Sequence, residues 1–235
     1  MAEKFLAELI GTFILILLGE GVVANVNLKK SNGKEGGWIV VTAAWALAVA
    51  IPVFIFADVS GAQFNPAVTI ALAATGGMAW SEVPIFILGQ FLGAFLGAVA
   101  VFINYYKHFE AEEDPNTKLG VFATSPAIRD LKWNFVTEFI GTFVLMFGIS
   151  GLGTLTLSDG ISPIAVGMLI FAIGLSLGGP TGYAINPARD LGPRIAHFIL
   201  PIKGKRDSDW SYAWVPVVAP ILGAICGAFA YTTLF

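Results

Sequence analysis

Hydrophobic positions along this chain fall into long unbroken blocks, not the alternating stripes of a half-buried strand or an amphipathic surface helix. Six blocks, at about 4–27, 38–57, 84–106, 133–157, 161–178 and 212–233, are long enough to span a bilayer, since about 20 apolar residues cross roughly 30 Å of hydrocarbon. Two further stretches, about 66–79 and 187–200, fall short, because about 11 helical residues reach only about 16 Å. They predict half-spans. The first block follows Met1–Lys4 and continues past Glu8 to about Asn27 without a small-residue cleavage site, so a retained first helix is expected instead of a signal peptide.

The two halves of the chain echo each other in the same order. Glu8-Leu-Ile-Gly11-Thr12-Phe13 matches Glu138-Phe-Ile-Gly141-Thr142-Phe143, and Leu92-Gly93-Ala-Phe-Leu-Gly97-Ala98 matches Leu222-Gly223-Ala-Ile-Cys-Gly227-Ala228. The first repeat is expected at 1–106, a connecting loop at 107–132 and the second repeat at 133–235, all within one domain. Three spans per repeat is an odd number, so the second copy enters from the opposite face, related to the first by an axis in the membrane plane. The glycine pairs at four-residue spacing predict seams where helix backbones approach closely.

Composition sharpens this picture. Of 235 residues, 56% are hydrophobic and 12% charged, and the mean hydropathy of +0.78 is that of an integral membrane protein. A net charge of −3 without a dense basic cluster excludes a nucleic-acid partner. One cysteine, Cys226, forms no internal disulfide, and two histidines, His108 and His197, build no metal site at any usual spacing. No cofactor is implied, and no nucleophile–base set suggests an enzyme.

The half-spans carry the chemistry. Each opens on the same tripeptide, Asn65-Pro66-Ala67 and Asn186-Pro187-Ala188. Asparagine is a strong N-cap and proline is favoured at the first helical position, so each tripeptide starts a helix. At membrane depth the irregular backbone before such a start survives only where it is buried in protein or lines a wet cavity. Gly61–Phe64 and Gly182–Ile185 are those segments, read as extended, with free carbonyls forming a ladder along the cavity at Gly61, Ala62, Gln63, Gly182 and Ala184. With both cap oxygens turned to their own helices, the Asn65 and Asn186 amides are expected to donate into the lumen. Two helix starts facing each other, each presenting roughly +0.5 charge, repel cations and protons while admitting neutral solutes.

One Asn-Pro-Ala is a routine cap, but two copies on matched half-spans are specific. Together with the Glu-x-x-Gly-Thr and small-residue repeats, they make nearly the whole chain resemble the aquaporin and glycerol-facilitator family, and its glycerol-facilitator branch in particular. The resemblance implies an all-α membrane protein with six transmembrane helices and two re-entrant half-helices in an inverted repeat, forming a right-handed bundle. It also implies a cytoplasmic N-terminus and a lipid-embedded homotetramer with a pore in each protomer.

Aligned on the motifs, the family's constriction falls on Trp45, Gly174, Tyr183 and Arg189. Water-selective members typically carry histidine where this chain has Gly174, which implies a wider opening with an aromatic wall. Trp45 and Tyr183 would form an apolar corner for a carbon backbone, with Arg189 bonding hydroxyls on the opposite side. Asp190 after Arg189 resembles the glycerol branch and lies one turn before Arg194, a structural pair by spacing. Glu8 and Glu138 resemble the family's acceptors for the re-entrant loops. Gln63 departs from a common histidine but keeps donor and acceptor capacity. Glu20 has no acidic counterpart in the second half, where Ser150 aligns, and is expected at the outer surface or a subunit contact.

The reading that follows is a passive channel for glycerol and small uncharged solutes, with some water permeability, in a bacterial cytoplasmic membrane. A channel mainly for water or for protonated acids such as lactic acid is the alternative within this architecture. An ion-coupled transporter is the alternative outside it, and Glu20 is the one unexplained ionisable residue that could serve it. Loop charge points the other way on orientation: with Met1 inside, only Lys4 is cytoplasmic, so the positive-inside rule places the N-terminus outside.

Overall fold

The computed structural model describes residues 1–158 and 160–235, and among these the chain is entirely helical. The long helices are α1 (Ala2–Asn27), α2 (Trp38–Ser60), α4 (Val83–Asn104), α7 (Leu131–Gly153), α8 (Ile161–Leu177) and α10 (Val215–Leu234), and the half-spans are α3 (Pro66–Ala74) and α9 (Pro187–Ile199). Five of the long helices are apolar over 18 or more residues, and α8 is apolar over 17, enough to cross at about 1.5 Å per residue. The connecting segment is not a plain loop. It holds α5 (Tyr106–Ala111) and α6 (Pro115–Phe122), the latter capped by Asp114, whose carboxylate accepts the Asn116 and Thr117 backbone N–H groups at 3.0 and 3.1 Å.

Packing within each repeat relies on glycine. On α4, a Cβ at Gly89 or Gly97 would stand 2.9 and 2.8 Å from the Phe5 and Phe13 carbonyl oxygens of α1, and one at Gly93 would collide with the Leu9 carbonyl. The second repeat repeats this contact: Gly223 and Gly227 of α10 face the Phe139 and Phe143 carbonyls of α7. In a bilayer, where apolar contact with lipid is as good as with protein, such close backbone approach is what holds helices together. The repeats then interlock crosswise, with α2 against α8, α3 against α10 and α4 against α9. Met1 and Phe235 share one end of the bundle, the terminal face, while segments 28–37, 105–130 and 200–214 form the other, the loop face.

Candidate functional site

The half-helices start as their sequence requires. The Asn65 side-chain oxygen accepts the Ala67 N–H at 2.9 Å, and that of Asn186 accepts the Ala188 and Arg189 N–H groups at 3.0 and 3.2 Å, each with proline at the first helical position. The amide nitrogens behave differently from the sequence expectation. Asn65 Nδ2 donates to the Ile185 carbonyl at 2.8 Å, and Asn186 Nδ2 donates to the Phe64 carbonyl at 2.8 Å. Each tip carries a backbone carbonyl with no helical N–H to donate to it, so each amide spends one hydrogen satisfying the other repeat and keeps one for the cavity.

Nor are the segments before the tips simply extended. Gly61, Ala62 and Phe64 have φ of 82°, 51° and 50°, and Gly182, Tyr183 and Ile185 have 80°, 39° and 42°. Left-handed backbone is costly for phenylalanine, tyrosine and especially β-branched isoleucine, and persists only when the surroundings impose it. Two carboxylates do so. Buried Glu8 on α1 accepts the Gln63 and Phe64 N–H groups at 3.0 and 2.8 Å, the Ser60 hydroxyl at 2.6 Å and the Gln90 amide at 2.8 Å. Glu138 on α7 accepts the Ala184 and Ile185 N–H groups at 3.0 and 2.8 Å and the Thr181 hydroxyl at 2.6 Å.

With the N–H groups drawn outward, the carbonyls of Gly61, Ala62, Gln63, Gly182 and Ala184 accept no protein hydrogen bond among the described residues. All five residues line a cavity of about 260 Å³ together with both asparagines, apolar side chains of α2, α7 and α8, and the Trp45–Tyr183–Arg189 cluster. The glycine of each Glu-x-x-Gly repeat completes the support: a Cβ at Gly11 would strike the Phe64 ring, and one at Gly141 would lie 3.1 Å from Ile185 Cγ2.

A second cavity of about 430 Å³ opens to the loop face and shares Trp45, Gly182, Tyr183 and Arg189 with the first. Those residues therefore stand where the two cavities meet. Arg189 adjoins Trp45 instead of opposing it, with its guanidinium carbon 4.3 Å from the ring centroid. Its Nη1 donates to the Phe122 carbonyl at 3.3 Å. Gly174 lines neither cavity. A Cβ there would meet Tyr183 Cζ and Thr42 Cγ2, both at 2.9 Å, so the tyrosine ring already fills the space a larger residue would take. The Gly174 carbonyl accepts Trp38 Nε1 at 3.0 Å, and Trp38 meets Tyr183 edge-on at 5.8 Å, making Trp38 a wall residue that motif alignment did not reveal.

Asp190 and Arg194 are both fully buried and form a bidentate pair, 2.8 Å from Nε to Oδ1 and 3.1 Å from Nη2 to Oδ2. Asp190 also accepts the Thr124 N–H and hydroxyl, and Arg194 donates to the Thr124, Ser208 and Asp209 carbonyls. The pair ties α9 to segments on both sides of it and fixes the strand of backbone that presents the Phe122 carbonyl to Arg189.

Glu20 is where sequence reasoning failed. It reaches neither the surface nor a subunit contact: it is fully buried in α1, with Oε1 3.5 Å from Arg189 Nη1 and no direct hydrogen bond to either oxygen among the described residues. The signal was an acid within an apolar span that has no counterpart in the other repeat, which by its cost calls for a buried cation; only the helix packing shows which one.

Comparison with known proteins agrees with this geometry. The sequence profile of the family described as "MIP: Major intrinsic protein" matches residues 1–231. The probable glycerol uptake facilitator protein of Thermotoga maritima is 58% identical over 231 residues, covering 98% of this chain and 99% of that one. The glycerol uptake facilitator protein of Bacillus subtilis is 53% identical over 231 residues, covering 98% and 84%. Among solved structures, the aquaglyceroporin from Plasmodium falciparum superposes with a TM-score of 0.87 at 32% identity, covering 98% of this chain and 95% of that one. The chain belongs to the major intrinsic protein family.

Proposed function

We propose that this chain is a passive membrane channel for glycerol and similar small uncharged solutes, with some water permeability, that excludes ions and protons. The observation that carries the reading is the junction of two cavities at Trp45, Tyr183 and Arg189, backed by two capped helix starts that meet tip to tip. The aromatic pair offers carbon-backbone contact, Arg189 and the unpaired carbonyls of Gly61, Ala62, Gln63, Gly182 and Ala184 offer hydroxyl partners, and the two helix N-termini place about +0.5 charge each against any cation. The names of the facilitator relatives support glycerol as the solute. Each repeat contributes one helix start, one carboxylate support and one side of the passage, so both are needed for a single pore.

We assign Met1 to the cytoplasmic side, so that the loop face looks outward. Several of the basic residues that argue otherwise are engaged: Lys29 pairs with Glu113, Arg129 with Asp209 and Lys107 with Glu110, while Lys205 caps the C-terminus of α9 by donating to the His197, Phe198 and Leu200 carbonyls. Lipid contacts the apolar flanks, and the assembly is a homotetramer with a pore in each protomer. Stopped-flow swelling of vesicles containing the purified protein tests the function: glycerol permeability well above empty vesicles is expected, and water flow without glycerol flow refutes it.

A further inference from the structure

The geometry points to Glu20 as a positioning residue behind the constriction, one that cancels the charge of Arg189 and holds its guanidinium off the solute path. Burial makes this specific. Arg189 of α9 and Glu20 of α1 are 7% and 0% exposed, and their charged atoms lie 3.5 Å apart. An ionised carboxylate sealed in protein without hydrogen bonds is held only by an opposite charge, and Arg189 is the cation beside it. The approach is built into α1, because a Cβ at Gly19 would overlap the Trp45 ring; the missing side chain lets Trp45 pack against α1 next to Glu20, with the guanidinium carbon 4.3 Å from the ring centroid.

Two consequences follow for permeation. First, the pair is close to neutral as a unit, so cation exclusion falls to the half-helix starts while a bare arginine at the constriction, which would attract small anions into a low-dielectric passage, is avoided. Second, without Glu20 the guanidinium is restrained, among the described residues, only by the Phe122 carbonyl at 3.3 Å and the Trp45 face, and its free direction is the cavity it already lines. This inference rests on the reading that Arg189 stands in the solute path.

The test uses proteoliposomes of wild type, E20Q, E20D, R189Q and E20Q/R189Q, measuring water and glycerol permeability by stopped flow and potassium nitrate uptake with valinomycin. E20Q is expected to raise nitrate uptake about tenfold or more, the scale on which a one-sign cleft concentrates counter-ions, and to cut glycerol more than water. E20D keeps nitrate out, and E20Q/R189Q returns nitrate to the wild-type level because the uncompensated cation is gone. Nitrate uptake by E20Q at the wild-type level, leakage through E20D, or persistence of the leak in E20Q/R189Q overturns the inference. Should E20Q fail to fold, recovery of folded E20Q/R189Q supports the pair as a unit, and failure of both while R189Q folds overturns it. R189Q with unchanged permeability to every solute would instead sink the placement of Arg189 in the path.

Discussion

Placing a histidine at Gly174 tests how the constriction is built. A Cβ at this position sits 2.9 Å from Tyr183 Cζ and 3.0 Å from its hydroxyl oxygen, whereas carbon atoms in ordinary contact lie about 3.5–4.0 Å apart. Even alanine therefore forces the ring to retreat by about 0.6 Å or more, and overpacking of this kind costs about 1–3 kcal/mol. An imidazole asks for the space the phenol occupies. The ring has few directions to go: Trp38 blocks one edge at 5.8 Å, and the phenol packs over Gly178 so closely that a Cβ there would lie 2.5 Å from Cδ1, leaving the cavities that Tyr183 lines. Displacement thus narrows the passage itself. In Gly174→His, thermal unfolding of the purified protein shifts down and glycerol permeability falls by about tenfold, the equivalent of roughly 1.4 kcal/mol of added barrier, with a smaller loss of water flow. Adding Tyr183→Cys to Gly174→His empties the contested space and restores stability and water flow. A Gly174→His protein with wild-type stability and an unchanged glycerol-to-water ratio would refute the packing argument.

Glu138→Gln replaces an acceptor of three hydrogen bonds by a side chain with one oxygen, leaving a buried N–H at Ala184 or Ile185 unpaired; about 1.5–3 kcal/mol of stability and most glycerol flux should be lost, read by thermal unfolding and stopped flow. Asp190→Asn strands buried Arg194 at a cost of about 3–5 kcal/mol, and Asp190→Asn combined with Arg194→Met should recover part of the folded yield measured by gel filtration; no recovery would deny that the charges form one unit. On the loop face, the Arg129 guanidinium holds the Asp209 carboxyl below its ordinary value of 3.8, so its contribution to stability is full above that pH and lost as pH falls through the depressed value. Arg129→Gln should flatten that acid-side loss in a pH series of unfolding temperatures. Mercury chloride should leave permeation unchanged, because Cys226 is exposed on α10 and lines neither cavity; inhibition abolished by Cys226→Ser would contradict this.

The half-helices were legible because Asn-Pro-Ala states its own local structure, and the supporting role of Glu8 and Glu138 because the same Glu-x-x-Gly-Thr motif recurs in both halves and resembles the family's. The helix over Pro115–Phe122 was also legible in principle, since Asp114-Pro115 is a cap followed by a first-turn proline. Left-handed backbone at Phe64, Tyr183 and Ile185 was not, for those side chains disfavour it locally and only the carboxylates on α1 and α7 impose it. The partner of Glu20 and the crowding of Gly174 by Tyr183 were hidden for a related reason. Both depend on which helix faces meet across the repeats, and unbroken hydrophobic blocks carry almost no facial pattern from which to read that.

The exchange of amide hydrogens between Asn65 and Ile185 and between Asn186 and Phe64 has a bearing on biogenesis. A nascent chain that has inserted only its first half owns the Glu8 brace but lacks the acceptor for Asn65 and the donor for Phe64. Its hairpin dips into the bilayer with two dangling polar groups, and completion waits for a span that has yet to leave the ribosome. The conduit is thus a late, whole-chain event, and truncation anywhere before Asn186 removes it entirely instead of leaving half of one.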